Sequence, residues 1–462
     1  MAEAVARAGL ELPADLDFEV TGDEPVLASP HRLATGAAAA RLLTGVAANE
    51  LWRSRTGRTQ SLCVDAGHAA ASLTSFAHVS FLDPDRQPRL QPRSERVRVL
   101  GIFATGDGRH VQLHGSFNDG PQVLEELGLA SDAGAEEIAA AVGRRGAFEL
   151  EAAFIRRRIC GGVVMTADEW ASHPQGRAVA GWPVVRITRI GDAPRRPLPD
   201  GERPASGVRV LDLTRVLAGP TCARTVAEHG ADVLHVTAPH LAGTGVFDID
   251  TGFGKRQCSV DLDTREGVDA MRDLLAGADV FSQGYRLGTL ERRGFGPAQV
   301  AELSPGIVYV SENCYGPVGP WSGRPGWEQL AQAATGMSHR EGAATPEGTP
   351  RLAPAAVNDY STGFLAAYGA MMALARRATE GGSWHVQVSL CQTSTWYQSL
   401  GTVDDPETAV RPDPTPYLSV MDTPHYGPVR HLAPALAMSQ TPPRWELPPV
   451  PDGTHEAVWL PR

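Results

Sequence analysis

Between residues 207 and 400, apolar positions switch repeatedly between two spacings. In "GVRVLDLTRVLAGPTCARTVAEHGADVLHV", Val208, Val210 and Leu211 predict a buried strand, "PTCARTVAEHG" a helix closed by Gly230, and "ADVLHV" the next strand. Further strands are expected at "QCSVDLD", "ADVFSQ" and "GIVYVS", with the helix "TREGVDAMRDLLAGA" between the first two. Strands alternating with helices imply a parallel sheet covered by helices, so the expected class is α/β with a Rossmann-like large domain over about 207–400. Downstream, Phe364, Tyr368, Met371 and Ala375 share one helical stripe, Arg376 and Arg377 close its last turn, and "EGG" at 380–382 stops it. "WHVQVSL" then alternates as a half-buried strand does.

The segment "VNDYSTGF" puts Asp359 beside the start of that helix. Unpaired N–H groups there favour negative charge by about 0.3–1 kcal/mol, which predicts an ionised side chain. Capping is the ordinary role of an aspartate at this place. Ser361 and Thr362 each carry a hydroxyl able to cap instead, which would release Asp359 for chemistry, and spacing leaves both readings open.

Composition narrows the classes. A chain of 462 residues, 42% hydrophobic and 21% charged, suits a soluble globular protein of two or three domains, with Pro-rich stretches near 190–204, 317–325, 346–354 and 405–450 as candidate boundaries. The net charge of −11, without a Lys/Arg run, argues against nucleic acid, so an anionic ligand needs a local basic pocket. With no basic leader followed by an apolar core and no run of about 18 apolar residues, a cytoplasmic location without membrane partners is expected. Cys63, Cys160, Cys222, Cys258, Cys314 and Cys391 lack C-x-x-C spacing and read as reduced, buried thiols, and no metal site is expected. "VLAGPT" has one glycine where a dinucleotide fingerprint needs three, and "GFGK" at 252–255 lacks P-loop spacing.

Taken in order, "GVRVLDLTRVLAGP", "GADVLHV", "GKRQCSVDLDTREGVDAM", "ADVFSQGYRLGTLERRGFG", "PGIVYVSENCYGPVGPWSGRPGWEQLAQAATG", "NDYSTGFLAAYGAMMAL" and "HVQVSL" resemble the class III coenzyme A transferases, the CaiB/BaiF family. The resemblance implies that Asp359, in a D-x-x-T/S-G turn, attacks an acyl-CoA thioester. A mixed anhydride, then an aspartyl-CoA thioester, would carry coenzyme A to an acceptor carboxylic acid. It also implies a CoA-binding set of Val216, Leu217, Lys255, Arg256, Tyr285, Arg286 and Arg292, and an acid at Glu328 beside the nucleophile. CoA enters as a substrate and no permanently bound cofactor is expected. A second, smaller α+β domain and a homodimer are further implications. A non-catalytic CoA-binding subunit and an acyl-CoA isomerase or racemase are the alternatives. The racemase branch uses a histidine where this chain has Trp327, which cannot transfer protons.

The chain departs from the family pattern at Thr237, Gly254 and Gly284, where the family carries an acid and two asparagines. In the N-terminal half, residues 31–67 overlay residues 358–394, with Thr35-Gly36 against Thr362-Gly363 and Arg32 in the place of Asp359. A guanidinium is no nucleophile, so this copy is expected to be catalytically dead. "RVLGIFATGDGRHVQLHG" and "GGVVMTADEWASHPQGRA" resemble the family's smaller domain. The expected organisation is a rearranged partial tandem: a degenerate large-domain repeat at 1–75, a small domain and linker at 76–205, the CoA-binding large domain at 206–400, and a C-terminal return segment at 401–462.

Overall fold

The computed structural model describes residues 1–88, 99–115, 120–241, 243–411 and 413–461. Its centre is a seven-stranded sheet. In chain order the strands are β1 (Arg186–Gly191), β2 (Arg209–Leu213), β3 (Asp232–Thr237), β4 (Lys255–Ser259), β5 (Val280–Gln283), β6 (Val308–Asn313) and β7 (Ser383–Ser389). They lie in the order β4-β3-β2-β5-β6-β7-β1, parallel except for β1, which runs antiparallel to β7 at one edge. The expected boundary at 205 assigns β1 to the small domain and linker, whereas it completes the large sheet. Strand order reverses between β2 and β5, where the outgoing loops diverge and leave a crevice beyond the carboxyl ends of the strands.

Six helices matter for the site: α1 (Leu33–Thr56), α2 (Ala218–Ala227), α3 (Arg265–Gly277), α4 (Glu328–Thr335), α5 (Val357–Glu380) and α6 (Leu390–Ser399). Helix α5 is the axis of the fold, with α1, α2 and β7 all packed on it. Small residues permit this approach. A Cβ at Gly363 would stand 2.4 Å from the Ala218 carbonyl oxygen, and one at Gly36 would stand 2.1 Å from the Tyr397 ring. The helix is therefore buried on nearly every side rather than along one stripe. Arg377, expected as a helix-end charge, is fully buried and pairs with Asp279 at 3.0 Å. Gly381, at φ 72°, ends the helix as "EGG" predicts.

A smaller unit has an antiparallel sheet of Leu100–Ala104, His110–His114 and Gly161–Val163, with helices at Gly120–Glu126, Ala135–Val142 and Ala147–Arg157. Arg98, the first residue of the segment likened to the family's small domain, lies outside the described residues. The apolar core of this unit, including Leu113, Leu150 and Phe154, runs on into Tyr315, Trp321 and Leu390 of the large unit. A buried ion pair at 3.1 Å, Arg324 with Glu151, ties the two together within one chain.

The first and last segments also interlock. Leu62–Asp65 pairs in parallel with Phe18–Thr21 on one side and antiparallel with Ala437–Met438 on the other. The order α1, Leu62–Asp65, Ala66–Ser72 parallels the order α5, β7, α6.

Candidate active cleft

The crevice at the reversal of strand order holds a cleft of about 280 Å³. The loop after β2 contributes Arg215, Val216 and Leu217, the loop after β5 contributes Gly284, Tyr285 and Arg286, and the end of β6 contributes Glu312. Trp327 and Asp359 line it as well, and Cys160 reaches it from the smaller unit. Val216 sits at φ 71°, a left-handed conformation that costs a β-branched residue on the order of 1–3 kcal/mol. The strain falls where the chain turns from β2 into α2. Val216 and Leu217 line the cleft although they are only 7% and 3% exposed, so each offers it a small surface.

Asp359 lies in the first turn of α5. Neither neighbouring hydroxyl caps the helix. Ser361 shares a 2.7 Å hydrogen bond with the Tyr397 hydroxyl and Thr362 shares one of 2.7 Å with Thr393. The cap comes from α4: the Glu328 carboxylate accepts from the backbone N–H of Asn358 at 3.1 Å and from that of Asp359, and from the Gln332 amide at 2.8 Å. A residue thirty positions upstream thus does the local work, and the Asp359 side chain is left on the cleft wall.

The surroundings of Asp359 oppose the ionised form that its helix end favours. Burial, then the carboxyls of Glu328 and Glu312, push its pKa well above the usual carboxylate range. Loss of water and two like charges outweigh the modest benefit of a helix N-terminus. Burial also pushes Glu328 up to about 7 and Glu312 up to about 8. In Glu312 the neighbouring Asp212 adds to the rise, while the Gly219 N–H holds the carboxyl down. The Oε2 atoms of both glutamates are buried without a hydrogen-bond partner.

The predicted basic set divides. Tyr285 and Arg286 line the cleft with Val216 and Leu217. Lys255 does not: it is 1% exposed and its Nζ donates to Asp212 at 2.7 Å and to the Pro220 carbonyl at 2.8 Å. Burial alone would raise the Asp212 pKa, but Lys255 and His235 together hold it far below the usual range. Arg256 is likewise taken up, by Asp232 at 3.1 Å and the Val458 carbonyl at 2.8 Å. Arg292 is exposed on the turn Glu291–Arg293 and is not among the cleft-lining residues. Glu328 is 4% exposed and sits behind Asp359 rather than on the cleft wall.

Sequence reasoning misses Arg215, Arg324 and Glu312. Arg215 immediately precedes Val216 in "LDLTRVLAGP", and Glu312 is an acid following the apolar run "GIVYVS", so both left a visible signal. Arg324 left none, because its position depends on Glu151 in the other unit. Away from the cleft, His240, Asp261 and Asp263 bring ligand-type atoms within 4.8 Å of one another, a surface grouping of residues distant in sequence that local spacing does not reveal. Asp263 there is paired with Arg293 at 2.5 Å.

Comparison with known proteins places this geometry in context. Residues 205–417 match the family described as CoA-transferase family III. The acetyl-coenzyme A transferase nodX of Hypoxylon pulicicidum is 35% identical over 350 residues, an overlap of 70% of this chain and 58% of that protein. An acyl-CoA transferase of Gibberella moniliformis is 36% identical over 315 residues, covering 63% of this chain and 55% of that one. A solved CAIB/BAIF family protein from Brucella suis aligns with a TM-score of 0.39 and 27% identity, over 42% of this chain and 55% of its own. The chain spans a little over half the length of these relatives.

Proposed function

With residues 205–417 belonging to CoA-transferase family III, we propose that this protein moves coenzyme A from an acyl-CoA donor to a carboxylic acid, with Asp359 as nucleophile. The observation that carries the reading is the Asp359 carboxyl on the wall of the cleft, relieved of capping by Glu328. An aspartate oxygen adds to the thioester carbonyl and expels the thiolate, leaving a mixed anhydride. The thiolate then attacks the aspartyl carbonyl and releases the donor acid, and the acceptor acid reverses both steps. Each exchange keeps the thioester's energy in a covalent bond. A desolvated carboxylate is the more reactive, and the apolar core shared by the two units limits access of water to the anhydride.

In this reading Val216 and Leu217, with Tyr285 and Arg286, hold CoA, and Arg215 joins them. Glu328 is a positioning residue that fixes the first turn of α5. Lys255 and Arg256 hold the sheet together and leave the phosphates to other groups. The shared order of elements in residues 33–72 and 357–399 supports a partial tandem of two family units, the first with Arg32 near the nucleophile's place. A homodimer belongs to the same reading, and light scattering tests it.

The deciding experiment is covalent. Incubation with an acyl-CoA, quenching with hydroxylamine and peptide mass spectrometry should find Asp359 modified, and Asp359→Asn should lose both the label and CoA transfer. Full transfer by that variant refutes the mechanism. The pairing of Lys255 with Asp212 and of Arg256 with Asp232 favours a second reading, a subunit that binds CoA without chemistry. Bound CoA with Asp359 unmodified under turnover conditions would establish it.

A further inference from the structure

One of the chain's departures from its family lines the cleft beside an acid. Gly284 stands where the family has an asparagine, and a Cβ built on it would lie 2.7 Å from Oε1 of Glu312 and 3.2 Å from its Cγ. The space that a side chain at 284 would need is occupied by the Glu312 carboxyl. That carboxyl comes from the end of β6, accepts a hydrogen bond from the Gly219 N–H, and buries an Oε2 that has no partner. We propose that Glu312 is a second catalytic carboxyl, one that carries a proton on and off the CoA sulfur while Asp359 carries the acyl group. The inference rests on Asp359 being the nucleophile.

The proton balance closes. As an Asp359 oxygen bonds to the thioester carbon, the C–S bond breaks with its electron pair going to sulfur, and the Glu312 proton moves onto that sulfur. Asp359 is then an uncharged anhydride and Glu312 a carboxylate. On the return, Glu312 takes the proton back as sulfur attacks the aspartyl carbonyl, and the acid leaves as a carboxylate. Before attack the pair holds one negative charge, on Asp359, as two carboxyls within each other's field favour; at the anhydride it sits on Glu312, and after the return it has left with the donor acid.

The surroundings suit this assignment. A thiol of ordinary pKa about 8.5 is matched by a carboxyl held near 8. Asp212, kept anionic by Lys255 and His235, faces Glu312 from β2, Asp359 faces it from α5, and the uncharged Cys222 thiol lies toward it from α2. Arg215 and Arg286 share the cleft and do not give up protons. Burial pushes the Tyr285 hydroxyl and the Cys314 thiol further from neutrality.

The test compares the wild-type protein with Glu312→Gln in single turnover, reading the rate at which Asp359 becomes labelled. From an acyl-CoA, the variant should label at least 100-fold more slowly. Its deficit should shrink below about fivefold with the acyl thioester of an aromatic thiol, whose thiolate departs without a proton. The wild-type rate should fall as pH rises through about 8, and this limb should be missing in the variant. Gly284→Ala supplies a second route, since its methyl displaces the carboxyl: labelling should slow at least tenfold in the wild-type background and hardly at all beside Glu312→Gln. Wild-type labelling rates in Glu312→Gln, or an equal deficit with both thioesters, overturn the proposal. An unlabelled Asp359 in the wild-type protein instead overturns the nucleophile itself.

Discussion

Replacing Lys255 by Met separates a structural lysine from a phosphate ligand. In the structure its Nζ is 2.7 Å from Asp212, and both side chains are 1% exposed or less. The Met side chain fills a similar volume but leaves Asp212 as a buried charge supported, among the described residues, by His235 at 3.0 Å and the Thr214 hydroxyl. Breaking a buried pair from one side costs about 3–5 kcal/mol, and the retained histidine puts this case near about 3 kcal/mol. An unfolding entropy of about 2.1 cal/mol/K per residue gives about 1 kcal/mol/K for 462 residues, so Tm should fall by about 3 °C. Calorimetry reads that shift, and adding Asp212→Asn should recover much of it, because the stranded charge is then gone. Titration calorimetry with CoA should show less than a threefold change in Kd. An unchanged Tm together with a Kd raised tenfold or more, as loss of a charged phosphate contact would give, refutes the structural assignment.

Gly363→Ala should destabilise the protein by about 1–3 kcal/mol, since its methyl meets the Ala218 carbonyl oxygen at 2.4 Å; chemical denaturation checks it. Arg324→Met strands Glu151, whose side chain is 7% exposed, and hydrogen exchange should show faster opening over 147–163 than elsewhere. Stability should fall between pH 5.5 and 8.5. Glu328 and Glu341 have pKa values raised from 4.5 to about 7 and Glu312 to about 8, so their contribution is complete below the unfolded value and is lost as pH rises through the folded ones. Glu328 alone corresponds to about 3 kcal/mol, and Tm measured across this range should fall less in Glu328→Gln.

The sheet was legible because each of its strands carries its own periodicity. Six of the seven strands fall where alternation or a short apolar run predicts them, although β4 begins two residues earlier than "QCSVDLD", at Lys255. The seventh, β1, has half-buried positions along most of its length and so no clean pattern to read. The position of Asp359 at the start of α5 was equally local, and so visible. Its surroundings were not. The cap is Glu328, brought in by the packing of α4, and the partners of Lys255 and Arg256 are aspartates on β2 and β3. Such pairings follow from strand order, which a motif does not encode. The electrostatics around Asp359 stayed hidden for the same reason: a helix end is written in the sequence, while the two carboxyls that oppose its charge converge only after folding.

Helix α1 lies along α5 through a face built of Ala37, Ala38, Ala40 and their neighbours, all of them buried. The stretch that matches the family, 205–417, contains neither this helix nor β1. Excised by itself, that stretch would carry a naked flank of alanines and glycines on α5 and an unsheathed sheet border. Recombinant fragments meant to keep this packing therefore need α1 and β1 as much as the motif-bearing residues.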